Sequence, residues 1–104
     1  MADFKGNRNM THGVAVEIVP ALQYLMWSMI DDDISKKLAM DYLQVFKLKP
    51  VTRDGKTCQE VSHSQEQPKR DKKTIVDFGF TPVSEIIFVI DSEKFVTMML
   101  ASEY

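Results

Sequence analysis

The chain has little of several features that would place it in a special class of protein. Cys58 is its single cysteine, so an intramolecular disulfide is excluded. Only four glycines and four prolines occur in 104 residues, which argues against a fibrous or low-complexity chain. The longest apolar stretch, from Leu22 to Ile30, contains polar residues and is shorter than the roughly 20 residues that a membrane span needs. We therefore expect one globular domain over residues 1–104.

The N-terminal segment and the net charge bear on the location of the protein and on nucleic-acid binding. The first nine residues contain no apolar region of the kind found in secretory signals, so we expect a cytoplasmic protein. A net charge of −2 and a pI near 5.6 provide no overall basic field to attract nucleic acid. The charge pattern therefore gives no general support to a nucleic-acid-binding domain.

The first half of the chain contains the clearest helix. Alternation over Met10–Glu17 predicts a first strand. Pro20 is typical of a first helical turn, and apolar residues at helical spacing continue to Ile30. The acidic run Asp31–Asp33 should end this helix, because negative charge is unfavourable at a helix C-terminus. Residues 34–40 should then form a turn or a second short helix.

The second half favours antiparallel strands. Residues 41–49 carry apolar groups on both faces, which predicts a central strand. Asp54-Gly55 favours a tight hairpin into a polar strand over residues 57–65, at an edge or with one wet face. We expect a polar loop over 65–73, a strand over 74–80 and a C-terminal hairpin of 86–90 with 95–100. The resulting fold is α+β, with one main helix packed on a mostly antiparallel sheet in two layers.

No catalytic motif emerges from the pattern. The glycines are too scattered for a phosphate-binding loop, and no serine lies in a nucleophile-elbow sequence. Cys58 could form a thiolate pair with His12 or His63, although a packed thiol and solvated imidazoles are the simpler interpretation. We therefore predict that the protein is not an enzyme and needs no cofactor.

Zinc is the one metal that the residue types suggest. Thiolate and imidazole are its preferred ligands, which makes Cys58, His63 and His12 candidates. Cys58 and His63 are five residues apart, so a regular strand would direct them to opposite faces. A shared metal would require a bulge or a strand end between them.

Two segments are candidate binding surfaces. Tyr24 and Trp27 flank the apolar stripe of the main helix, and the chain's seven methionines suit an adaptable protein interface as well as simple core filling. The segment around residues 69–73 is basic and could contact phosphates, or could be a solvated loop that blocks edge pairing. Its candidate residues are Lys69, Arg70, Lys72 and Lys73.

Several segments together resemble a known family. They include Met10–Ala15, Leu22–Asp31, Asp41–Phe46, His63–Pro68 and Met99–Tyr104, in the same order along nearly the whole chain. The chain is similar to DUF960, a family of small uncharacterised proteins of Gram-positive bacteria and their mobile elements. The resemblance brings no reaction or cofactor with it.

The resemblance implies a class of function. Short proteins carried by phages or mobile elements often bind and block a host protein, and inhibition of a defence effector, as by an anti-CRISPR protein, is one concrete case. We therefore expect stoichiometric binding to a host protein. The alternative is a nucleic-acid-associated or zinc-binding accessory protein.

Overall fold

A computed structural model describes residues 2–104 as a six-stranded sheet with one long helix on one face. Strand order across the sheet is β1-β6-β5-β2-β3-β4, and every neighbouring pair is antiparallel except β1 with β6, which is parallel. The elements are β1 (Asn7–Met10), α1 (His12–Glu17), α2 (Pro20–Ser35), β2 (Leu43–Arg53), β3 (Lys56–Glu66), β4 (Lys69–Val76), β5 (Glu85–Asp91), β6 (Phe95–Leu100) and a 3-10 turn, Ala101–Glu103. The mixed α and β content and the single substantial helix agree with the predicted class.

The N-terminal strand predicted over Met10–Glu17 is wrong. β1 ends at Met10, and Thr11 caps the short helix α1 by accepting a hydrogen bond from the backbone N–H of Val14. The alternating small and β-branched residues favoured a strand, but a capping threonine at this position and packing of Val14 in the core favour a helical turn.

Helix α2 begins at Pro20 as predicted but continues through the acidic run to Ser35. The predicted break at Asp31–Asp33 is wrong because each carboxylate pairs with a cation. Asp31 pairs with Arg8 of β1, and Asp32 pairs with Lys36 at the end of the helix at 3.0 Å and with Lys72 of β4 at 3.6 Å. Asp33 is buried and pairs with Lys72 of β4 at 2.8 Å. Charges that would fray an isolated helix therefore attach this one to the sheet.

The centre of the sheet follows the prediction more closely. β2 lies between β5 and β3, so the strand predicted to be central is confirmed. Asp54 and Gly55 both have positive φ, as the predicted hairpin turn requires. The polar loop predicted over 65–73 is wrong, since β3 continues to Glu66 and β4 begins at Lys69. The strand predicted over 74–80 ends at Val76.

The hydrophobic core lies between α2 and one face of the sheet, which we call the inner face. Gln59 fastens the connection between β4 and β5 to this side, because its amide both donates to the backbone C=O of Val83 and accepts from its N–H, at 3.0 and 2.8 Å. Core residues from the helices and sheet include Val14, Ile18, Leu22, Met26, Ile30, Phe46, Leu48, Val61, Ile87, Val89, Val96 and Met98. No helix among residues 2–104 has the length and apolar character needed to cross a bilayer.

Candidate functional site

A buried polar cluster joins the C-terminal half of α2 to strands β2, β3 and β4. Asp33, Gln44, His63 and Gln65 are at most 5% exposed, although β3 was predicted to be an edge or wet strand. β4 covers the side of β3 away from β2, and α2 covers its inner face, so these polar groups meet one another instead of water. The cluster therefore needs internal partners for every member.

The hydrogen bonds fix the orientation of both glutamine amides. Gln65 Nε2 donates to the backbone C=O of Ala39 and Pro68, which leaves Gln65 Oε1 to accept from Gln44 Nε2 at 2.9 Å. Gln44 Oε1 therefore faces His63 Nε2, at 2.6 Å. Since an amide oxygen only accepts, His63 carries its proton on Nε2. Nδ1 is then unprotonated and lies 3.9 Å from Asp33 Oδ2, beyond hydrogen-bonding distance.

The charge state of His63 follows from its surroundings. Its ring is buried and stacks on Phe46, with ring centroids 4.3 Å apart. Burial lowers the pKa of His63 to about 4, against the opposing influence of the Asp33 carboxylate, and the nearby Lys72 and Arg70 lower it further. The imidazole is therefore neutral at neutral pH.

The cluster offers little room for a substrate. Its cavity measures about 10 Å³, roughly the space that one water molecule needs. The Asp33 carboxylate already contacts Lys72 at 2.8 Å and Arg70 at 3.6 Å. The arrangement ties a helix to a sheet by a satisfied network of charges and amides.

The candidate zinc ligands do not converge. Cys58 shares its side of β3 with Glu60, whereas His63 faces α2, as the five-residue spacing suggested. His12 lies at the exposed start of α1. Over residues 2–104, three or more histidine, cysteine or acidic side chains are nowhere grouped closely enough to hold a metal ion.

The candidate binding residues divide between different surfaces. Tyr24 is exposed on α2, while Trp27 is half-buried beneath the guanidinium of Arg8, which lies 4.8 Å from the ring centroid. On β4, Arg70 and Lys72 turn inwards to Asp33. Lys69 and Lys73 alternate with them and point to the opposite side of the sheet. The basic segment is therefore not a single patch.

The opposite side of the sheet, which we call the outer face, carries an apolar patch that sequence reasoning missed as a site. Its members are Leu43 and Val45 of β2, Ile86, Phe88 and Ile90 of β5, and Met99 of β6. Five are half-buried and Ile86 is 42% exposed. The signal was present in the sequence, because β2 has apolar residues on both faces and residues 86–90 form a continuous apolar run.

Aromatic and basic side chains border the apolar patch. Tyr104 lies edge-on against Phe88, with ring centroids 5.5 Å apart, and the proximity of Tyr104 raises the pKa of Tyr42. A groove of about 540 Å³ runs beside Tyr42 over the β2 side of the patch. Lys47 and Lys69 also line this groove, as do Asp41 and Glu66.

A second, larger groove lies at one end of the sheet and is lined by both polar and apolar groups. It has a volume of about 910 Å³ and includes Asp3, Lys5, Asp91, Glu93 and Lys94. The Asp91 carboxylate accepts hydrogen bonds from the backbone N–H groups of Phe4 and Glu93 at 3.0 and 2.9 Å. That carboxylate therefore stabilises the surrounding loops.

Comparison with known proteins gives the family and the fold. No curated protein matches the chain. A solved structure from Enterococcus faecalis, described as a protein of unknown function, is similar over 95% of this chain and 91% of its own, with 24% identity and a TM-score of 0.76. Residues 7–103 match the family described as staphylococcal protein of unknown function, DUF960. The chain therefore belongs to the DUF960 family.

Proposed function

We propose that this protein is a non-enzymatic binding protein that acts by stoichiometric association with another protein through its outer face. The observation that carries the proposal is the apolar patch on β6, β5 and β2, on the side of the sheet that α2 leaves open. We take this group of partly exposed apolar side chains on an uncovered sheet face as a candidate interaction surface. A host protein in the bacterial cytoplasm is the partner class we favour, with a defence effector as one concrete case.

Nucleic acid is the competing partner, favoured by one observation. Lys47, Lys49, Lys69 and Lys73 lie on the outer face, which also carries the aromatic rings of Phe88 and Tyr104. Lys49 and Lys73 both lie 3.5 Å from the buried carboxylate of Glu60, however, which offsets part of their charge. The protein partner is therefore the better supported of the two.

A retention experiment with bacterial lysate distinguishes these proposals. We expect the wild-type protein to retain a protein partner in approximately equal amount, and Ile86→Glu to abolish retention because it introduces a charge into the apolar patch. Tyr24→Ala, on the exposed side of α2, serves as the matched variant and should retain the partner. Retention of DNA or RNA that falls steeply with salt would instead support nucleic-acid binding. Loss of retention only in Tyr24→Ala would move the site to the helix.

A further inference from the structure

The size of the apolar patch limits what can cover it. The patch has six outward-facing apolar positions on three strands, so strand spacing and rise give it an area of about 200 Å². A stable interface between globular proteins buries roughly 800 Å² on each partner. A second copy of the chain, held by this patch alone, would fall well below that value. A single structural element of a partner fits the available area better.

The hydrogen bonding of the sheet selects the kind of element. The patch lies on β2, β5 and β6, and each of these strands has a neighbour on both sides. An extended segment lying on this face would therefore find no free backbone groups to pair with. A helix satisfies its own backbone and covers a sheet face with one apolar stripe, as α2 does on the inner face. A patch about 20 Å long accommodates roughly 13 helical residues.

The charges beside the patch predict the charge of the partner helix next to its apolar stripe. Lys47 and Lys69 line the groove next to the patch, and within residues 2–104 neither makes an ion pair. Glu66 lies opposite Lys69 in the strand register and offsets part of its charge. Asp41, the other carboxylate of the groove, accepts a hydrogen bond from the backbone N–H of Gln67. Lys47, which adjoins Ile86 in the register, is therefore the least compensated charge at this border.

We propose that the outer face receives an amphipathic helix of the partner protein, with its apolar stripe on the apolar patch and an acidic flank towards Lys47. This inference rests on the proposed function and specifies the chemistry of the partner. Along the strand direction, the positions of Lys47 and Lys69 are offset by four residues, or about 13 Å. An acidic residue on the flank of the helix that lies over β2 would reach Lys47, whereas Lys69 lies two strand spacings, about 10 Å, further to the side.

Cross-linking from the patch identifies the segment that occupies it. A photoreactive residue placed at Ile86 should cross-link to the retained partner, and mass spectrometry of the product should map an amphipathic helical segment with acidic residues on one flank. The same group at Tyr24 is the control and should give no such product. A cross-link to a second copy, to nucleic acid, or to an extended or basic segment would overturn the inference. If the cross-linked segment is an extended or basic segment of a partner protein, the proposed function stands and only the helix is wrong. If no protein is retained at all, both the proposed function and the helix are wrong.

Two lysine-to-glutamate variants, one beside the apolar patch and one far from it, test whether the partner presents an acidic flank. Lys47→Glu should weaken binding of the retained partner roughly tenfold at low salt and less at high salt, because exposed charges are screened. Lys37→Glu changes the net charge equally at an exposed position beyond α2 and should leave the affinity unchanged. Equal affinities of the two variants would contradict an acidic flank on the partner.

Discussion

Single residues in this protein owe their chemical state to neighbours that are distant in sequence. His63 is neutral because α2 and the sheet remove it from water, and its proton lies on Nε2 because Gln44 presents an oxygen there. Arg70 and Lys72 are ion-paired because Asp33 reaches them from the helix. Residue type alone would have assigned these two basic groups to a solvated segment.

The buried histidine makes stability dependent on pH. In the folded protein the pKa of His63 is lowered from 6.5 to about 4, so below pH 6.5 the unfolded chain binds a proton that the folded protein does not. The stability contributed by the neutral imidazole is therefore present above pH 6.5 and is lost as the pH falls towards 4. The total loss should be about 3 kcal/mol.

Denaturant unfolding of wild type and His63→Gln from pH 7 to pH 4 measures this effect. The difference in unfolding free energy between the two proteins should change by about 3 kcal/mol in the direction of a less stable wild type. A difference that stays constant with pH would show that His63 does not titrate in this range. Comparing the two proteins at each pH removes the contributions of the groups that they share.

At the scale of elements, α2 combines a locally encoded apolar stripe with charges that only the sheet can neutralise. Its apolar positions repeat at helical spacing, and Met26 and Ile30 are fully buried. Its acidic segment meets Arg8, Lys36 and Lys72. The length of the helix was mispredicted because two of these three cations come from strands at opposite edges of the sheet.

The stripe of α2 can be tested by two substitutions on the same helix. Met26→Ala should lower the free energy of unfolding by about 2 to 5 kcal/mol, since it opens a cavity in the core. Tyr24→Ala removes a side chain that is 73% exposed and should change stability by no more than about 0.5 kcal/mol. Urea unfolding followed by circular dichroism provides both values. Similar losses in the two variants would contradict the burial of this face.

At the scale of the whole molecule, one edge of the sheet is formed by contact between the N-terminal and C-terminal parts of the chain. β1 pairs in parallel with β6, and the backbone N–H of Asn7 donates to the C=O of Lys94 at 2.9 Å. Gly6 permits this approach, because a Cβ at that position would lie 2.6 Å from the carbonyl oxygen of Glu93. A side chain there would force the two segments apart.

Gly6→Ala should therefore destabilise the protein by about 1 to 3 kcal/mol. Asn7→Ala, at the adjacent exposed position of β1, is the control and should have a smaller effect. Denaturant unfolding can be monitored by the fluorescence of Trp27, whose ring lies beneath Arg8 of the same strand. Equal stability of Gly6→Ala and the control would show that the segments can separate without loss.

The candidate sites show where sequence reasoning succeeded and where it stopped. The five-residue spacing correctly indicated that Cys58 and His63 would face opposite sides of a strand. The pattern could not separate Lys69 and Lys73 from Arg70 and Lys72, because the segment was interpreted as a loop without faces. The apolar residues on both faces of β2 were visible in the sequence. The sequence did not indicate that no helix would cover the outer face.

The sequence by itself determined the features that depend on near neighbours. These are the start and stripe of α2, the Asp54-Gly55 turn and the central position of β2, which follow from spacing, positive φ and apolar residues on both faces. Only the tertiary structure decided the parallel pairing of β1 with β6, the extension of α2 through Asp31–Asp33 and the burial of His63. The physical reason is that pairing, charge neutralisation and desolvation arise between groups that only the folded chain brings together.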